Sequence, residues 1–251
     1  MPARTQLILE HDDGTLEYLP IPQPKKKVIT EDLGKIFEMG ICLVYDIPYD
    51  GKYKYSMEAA EKIKSKLHPL KELFPYKLSH TAKNGSRYDF TCEDSSEIYL
   101  SAKTTKKDGK VCPQVIGQPS KKRFCQYFNL DISITIDEIK EYIISNIYTM
   151  LDIYFNYTFD SPIIYYNETK NLLLFIKKAS NIVWSNQDIE FSHIKNEKKW
   201  GESTTINIGG ISIGEFQIHN HRDCIKFRWC FEKLIDYFSK NFTIIDFKQL
   251  I

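Results

Sequence analysis

With 251 residues, 42% of them hydrophobic and 14% aromatic, the chain is long enough to bury a full core and too apolar to be disordered. A formal net charge of +1 implies no global preference for an acidic or basic partner. No run approaches the roughly 18 apolar residues of a spanning helix, so no membrane partner is expected.

The opening MPARTQLILEHDD lacks the apolar stretch and small-residue cleavage site of an export signal. The six cysteines, at 42, 92, 112, 125, 224 and 230, form no CxxC pair and read as reduced thiols of a cytoplasmic protein. Residues 1–27 end in PIPQPKKK, whose prolines favour an extended N-terminal arm, and the ordered domain is expected over 28–251. TEDLGKIFEMGICLVY then places Leu33, Phe37, Ile41 and Val44 at helical spacing, with Thr30 as a candidate N-cap. A second helix is expected over 56–68, ending before Pro69.

The character changes between Ser79 and Thr105. Lys83-Asn84-Gly85-Ser86 signals a turn, RYDFTCED a strand, Ser95-Ser96 another turn and EIYLSAKT a second strand, which together predict a β-hairpin. One long helix is expected over 137–155, with Ile139, Ile143, Ile147, Met150 and Tyr154 on its apolar stripe. SPIIYY and NLLLFI read as buried strands. The last third reads as glycine-bearing strands joined by a polar hairpin, then a short helix at 231–239. This order predicts an α/β (α+β) domain with a mixed central sheet flanked by helices. Trp184, Trp200 and Trp229 are expected in the core.

The hairpin carries chemistry suited to phosphodiester hydrolysis, which needs a divalent ion on oxygen ligands, an attacking water and a cation to handle that water. Asp89 stands in one strand and Lys103 fourteen residues on in the next. Period-2 alternation puts Ser101 and Lys103 on one face and leaves Ala102 to offer its backbone carbonyl.

These residues resemble the PD-(D/E)XK superfamily, and within it the small type II restriction endonucleases that cut short palindromes. The resemblance covers residues 30–125, and the C-terminal hairpin more loosely. It implies a restriction-endonuclease-like sheet and a metal centre of Asp89 and the Ala102 carbonyl, with Glu38 added from the first helix. Mg²⁺ would be the cofactor and Mn²⁺ its substitute. Lys103 would position the water, and cleavage would leave a 5′-phosphate and a 3′-hydroxyl. Ser101 departs from the family's pattern by standing where its tripeptide carries an acidic residue.

From Tyr99 to Gln126 the charge is one-sided, with Lys103, Lys106, Lys107, Lys110, Lys121, Lys122 and Arg123 against Asp108 alone. Such a tract suits a phosphate backbone. Within it Gln114 and Gln118 could hydrogen-bond DNA, and Gln114 the attacking water. The other candidate DNA surface is GEFQIHNHRDCIKFRW, where Gln217, His219, Asn220, His221 and Arg222 are suited to base edges and Lys226 and Arg228 to phosphates. His219 and His221 lack the widely separated partners of a ββα-metal nuclease. With Cys224 they supply three atoms for zinc and no visible fourth.

The expected function is a sequence-specific type II restriction endonuclease acting on double-stranded DNA as a monomer or homodimer. A repair or structure-specific nuclease of the same superfamily, and a catalytically silent DNA-binding module, are the alternatives.

Overall fold

The computed structural model describes residues 7–10, 16–19, 30–49, 51, 55–82, 86–219 and 221–250. The proline-rich end of the expected arm, the turn at Lys83, Asn84 and Gly85, and Asn220 lie outside the described residues. Within the arm, β1 (Leu7–Glu10) and β2 (Leu16–Leu19) form an antiparallel pair of their own.

The helix α1 (Thr30–Tyr45) follows, then α2 (Met57–Lys64) and the single turn α3 (Leu70–Leu73). Ser56 caps α2 by accepting the Ala59 N–H, so this helix starts as expected but stops at Lys64, four residues short of His68. The strands β3 (Leu78–His80), β4 (Phe90–Cys92) and β5 (Tyr99–Thr105) form an antiparallel run that contains the expected hairpin.

Next come α4 (Lys121–Phe128), α5 (Ile136–Ser145) and α6 (Ile147–Phe159). The single helix expected over 137–155 is two helices. At Asn146 the backbone leaves helical geometry (φ −116°, ψ 18°), and the Asn146 amide donates to the Tyr142 carbonyl. Its stripe nevertheless faces inward, since Ile139, Ile143, Ile147, Met150 and Tyr154 are all buried.

β6 (Ile163–Asn167) and β7 (Leu172–Lys178) pair antiparallel, and β6 lies parallel to β5. All five residues of β6 are buried, which explains its unbroken apolar run: it is a central strand covered on both faces. The remaining elements are β8 (Ile189–Phe191), α7 (Ser192–Lys195), β9 (Ser203–Ile208), β10 (Ile211–Ile218), β11 (Ile225–Trp229), α8 (Phe231–Tyr237) and β12 (Phe242–Asp246).

A six-stranded mixed sheet, ordered β12-β7-β6-β5-β4-β3, and a four-stranded antiparallel sheet, ordered β11-β10-β9-β8, result. Each face of the six-stranded sheet has its own core. On one, Leu33, Phe37 and Ile41 of α1 pack with Phe90, Leu100, Ile164 and Tyr166. On the other, Ile163, Tyr165 and Ile176 share a core with α5, α6 and the apolar face of the four-stranded sheet, where Phe216, Phe227 and Trp229 are fully buried. Trp184 and Trp200 are buried too, as expected. The architecture is a mixed α/β domain, and none of its helices is long and apolar enough to cross a membrane among the described residues.

Candidate active site

The strand β4 is short, and its end makes the site. Its ladder with β5 stops at Phe90 opposite Leu100. On the other edge of β5, the Ser101 N–H donates to the Pro162 carbonyl, so the next peptide group, that of Ala102, points back toward the vacated β4 side. There the Asp89 carboxylate takes the place of the missing strand partner. Asp89 Oδ2 accepts the Ala102 N–H at 2.8 Å and lies 3.4 Å from Lys103 Nζ. Asp89 itself is held by its backbone, where its carbonyl accepts the Thr81 N–H and the Thr81 hydroxyl donates to the Tyr88 carbonyl. The two charged side chains are each more than four-fifths buried, at 17% and 18% exposure.

Gln114 arrives from the loop between β5 and α4. Its amide donates to the Ser101 hydroxyl at 2.5 Å, and that hydroxyl also meets the Ser161 hydroxyl at 3.2 Å. Ser101 is fully buried, and Gln114 Oε1 is buried without a hydrogen-bond partner among the described residues. The loop keeps its place because it runs beside β11. The Ile225, Phe227 and Trp229 N–H groups donate to the Pro119, Gly117 and Val111 carbonyls, and the Val111 N–H returns to Trp229. The PQVIGQPS segment thereby bridges the Asp89–Lys103 hairpin and the four-stranded sheet. No local sequence signal announces this contact.

Glu38 is buried, but its partners are elsewhere. Both of its oxygens lie 2.8 Å from Lys35 Nζ, and one lies 3.1 Å from His80 Nε2. A Cβ at Gly34 would touch Thr104, so α1 covers the Ala102 and Thr104 side of β5, whereas Ser101 and Lys103 alternate to the opposite side. Among the described residues Glu38 makes no hydrogen bond or ion pair with Asp89 or Lys103.

The basic residues divide by partner. Lys106 pairs with Glu168 at 3.2 Å, and Lys110 and Arg228 both pair with Glu215, at 3.0 and 2.6 Å. Burial works against the Glu215 charge, yet hydrogen bonds from Lys110 and Arg228 hold its carboxyl below the ordinary range. Lys107 and Gln118 are exposed, as are Lys122 and Arg123 in the first turn of α4, with Lys121 half-buried beside them. Ser120 caps that helix, and the Lys121 N–H donates to Asp223 in the turn after β10.

The polar face of the four-stranded sheet carries Glu215 opposite Arg228 and Gln217 opposite Lys226, with Phe216 and Phe227 turned to the core. Arg222 and His221 stand exposed in the turn. Burial pushes the Cys112 thiol up, opposed by the positive charges of Lys226, Arg228 and Lys103. All six cysteines are free.

A cavity of about 610 Å³ opens beside α8 and β7, lined in part by Lys110, Lys170, Cys230 and Glu232. Glu232 there accepts from Tyr165, Asn167 and Lys170, a set of bonds that ties α8 to β6.

The chain is 49% identical over 218 residues to the type II restriction enzyme CviAII of Paramecium bursaria Chlorella virus 1, a match that takes in 86% of this chain and 63% of that protein. The chain therefore spans less than two thirds of the relative's length. No family model matches the chain, and no solved structure matches it.

Proposed function

With the likeness to a type II restriction enzyme as premise, we propose that the chain is a sequence-specific endonuclease of the PD-(D/E)XK kind that hydrolyses double-stranded DNA at Asp89 and Lys103. The observation that carries the reading is the Asp89 carboxylate, fixed at a strand fork by the Ala102 N–H with Lys103 beside it. Such a fork pre-positions an oxygen ligand and a cation on one small patch.

The donors present suit Mg²⁺, or Mn²⁺ in its place. Among the described residues both bonds to the Asp89 carboxylate fall on Oδ2, which leaves Oδ1 for a cation, and the Ala102 carbonyl shares the edge its N–H faces. Mg²⁺ is commonly held by one or two carboxylates while substrate phosphate and water complete its shell. When bound, the ion would supply Lewis-acid stabilisation of the phosphoryl charge. Lys103 Nζ orients the attacking water and screens the charge that builds on the phosphate. Gln114, its Oε1 unbonded beside Ser101, is placed to accept a hydrogen bond from that water. It does at this site what the missing carboxylate at position 101 cannot. Glu38 serves the site indirectly, by holding β3 through His80.

A plasmid digest tests the proposal. Cutting at defined sites is expected with Mg²⁺ or Mn²⁺, with Ca²⁺ supporting binding but not efficient turnover, and none in excess EDTA. Full activity in EDTA would overturn the metal centre. A silent DNA-binding module is favoured by one observation, that no second carboxylate contacts Asp89 or Lys103 among the described residues. Sequence-dependent binding with no cleavage under any divalent ion would select it. Cutting governed by DNA structure, not sequence, would select a repair nuclease.

DNA would lie across the polar face of β9–β11 and the hairpin. Lys107, Lys121, Lys122 and Arg123 are assigned to phosphates, as are Lys106, Lys110, Lys226 and Arg228 where their carboxylate partners release them. Gln217, Arg222, His221 and Gln118 are assigned to base edges, together with His219 and Asn220. Lys122→Ala should weaken binding to all duplexes and lower the slope of log K against log salt by roughly 0.9. Arg222→Ala should cost about 1–3 kcal/mol on the cognate duplex and little on a scrambled one. Titrations of both duplexes at several salt concentrations separate the two behaviours, and equal losses for Arg222→Ala would move base reading to the PQVIGQPS loop.

A further inference from the structure

A second cluster of metal-binding atoms lies away from the hairpin, at the end of the four-stranded sheet. Glu202 precedes β9, and His219 and His221 follow β10. Their ligand atoms all lie within 4.8 Å of one another. His219 Nδ1 is 2.9 Å from one Glu202 oxygen, and His221 Nδ1 is 3.8 Å from the other. We infer that Glu202, His219 and His221 form a binding site for a divalent transition ion such as Zn²⁺, separate from the Asp89 centre.

The alignment of the groups differs from that of an ordinary hydrogen-bonded ion pair. In a hydrogen bond the ring nitrogen points at its acceptor. Here His219 Nδ1 is buried and close to the carboxylate, yet it makes no hydrogen bond among the described residues. Ligands of one ion behave this way, because nitrogen and oxygen both aim at a third point and not at each other. With bonds of about 2.0–2.1 Å to a tetrahedral ion, neighbouring ligand atoms stand roughly 3.3 Å apart, a separation that the 2.9 and 3.8 Å distances bracket.

The donor set fixes the class of ion. Two imidazoles and one carboxylate suit zinc, nickel or cobalt, whereas Mg²⁺ takes oxygen ligands. Three protein ligands leave further positions to water.

The backbone pre-organises the cluster. Gln217 pairs with Ser203, and the Ile218 N–H donates to the Glu202 carbonyl, so the strand positions before His219 and after Glu202 are locked in register. The Arg222 N–H donates to the His219 carbonyl and closes the turn that carries His221. A bound ion would pin this turn, and Arg222 with it, to the start of β9. The ligand set escapes local sequence reading because Glu202 lies before β9 and the histidines after β10, and the His–His–Cys set that local spacing suggests is replaced by His–His–Glu.

The test is metal binding to the full chain, freed of any polyhistidine tag and of Mg²⁺. Titration with Co²⁺ alone should raise visible absorption bands that saturate at one equivalent, and Zn²⁺ should abolish them. His221→Ala alters an exposed side chain and should leave the circular dichroism unchanged while weakening Co²⁺ binding at least about tenfold. Glu202→Gln should weaken it similarly, and Asp89→Ala should leave it intact. The readout is independent of cleavage. Bands that survive in the His219→Ala, His221→Ala double variant would overturn the site, as would their loss in Asp89→Ala or their absence from the unaltered chain.

Discussion

Asp89→Ala and Lys103→Ala are each expected to lower the cleavage rate by about 10³-fold or more while leaving DNA affinity largely intact. Asp89 does two things at the fork, so its variants must be read in pairs. Alanine removes the charge and also strands the Ala102 N–H, whose bond to a carboxylate stabilises the fold by about 1.5–3 kcal/mol. Asp89→Asn keeps an acceptor for that N–H and loses only the charge. If the charge holds the cation, the asparagine variant should fold like the parent and be as inactive as the alanine variant. Among the described residues the Lys103 ammonium makes no hydrogen bond or ion pair besides that to Asp89, and Lys103→Ala should reach the same loss of rate. Single-turnover rates on a cognate duplex, with a binding titration beside them, decide the matter. A variant within about tenfold of the parent, a barrier change near 1.4 kcal/mol, would remove that residue from the chemistry.

The parts of this site that were legible in the sequence are those written locally. Turn residues on both sides of RYDF marked the hairpin, and alternation along YLSAKT put Ser101 and Lys103 on one face, where the structure has them. The stripe of Ile139 to Tyr154 was legible because it repeats over several turns, although the break at Asn146 was not: a single side chain bonding back to a carbonyl leaves the apolar period intact. The helix α4 was hidden in what read only as a basic tract. Its buried residues are Phe124, Cys125 and Phe128, too few to show a period, and its Asn129 C-cap, with φ 52°, is a signal that gains weight only once a helix is suspected. What no local pattern could show is adjacency between strands. Gln114 meets Ser101, Glu38 meets His80 and Glu202 meets the two histidines because sheet register and loop docking bring them together.

That docking depends on one side chain more than its position at the edge of the four-stranded sheet suggests. Trp229 is fully buried, stacks near-parallel on Trp184 with ring centroids 5.9 Å apart, meets Phe227 edge-on at 4.7 Å, and donates from Nε1 to the Thr158 hydroxyl at 2.9 Å. Its backbone exchanges both hydrogen bonds with Val111, the start of the segment that carries Gln114 to Ser101. Trp229→Ala is therefore expected to cost about 3–5 kcal/mol, since it opens a cavity at the junction of α6 and the sheet. That is a large fraction of the 5–15 kcal/mol that typically holds a domain together. Trp229→Phe keeps a ring on Trp184 and loses the indole donor, for about 1–2 kcal/mol. Urea unfolding of the three proteins measures both steps. A loss below about 1 kcal/mol for the alanine variant would mean that the neighbouring rings close over the gap, and that the loop bearing Gln114 is held by its backbone bonds alone.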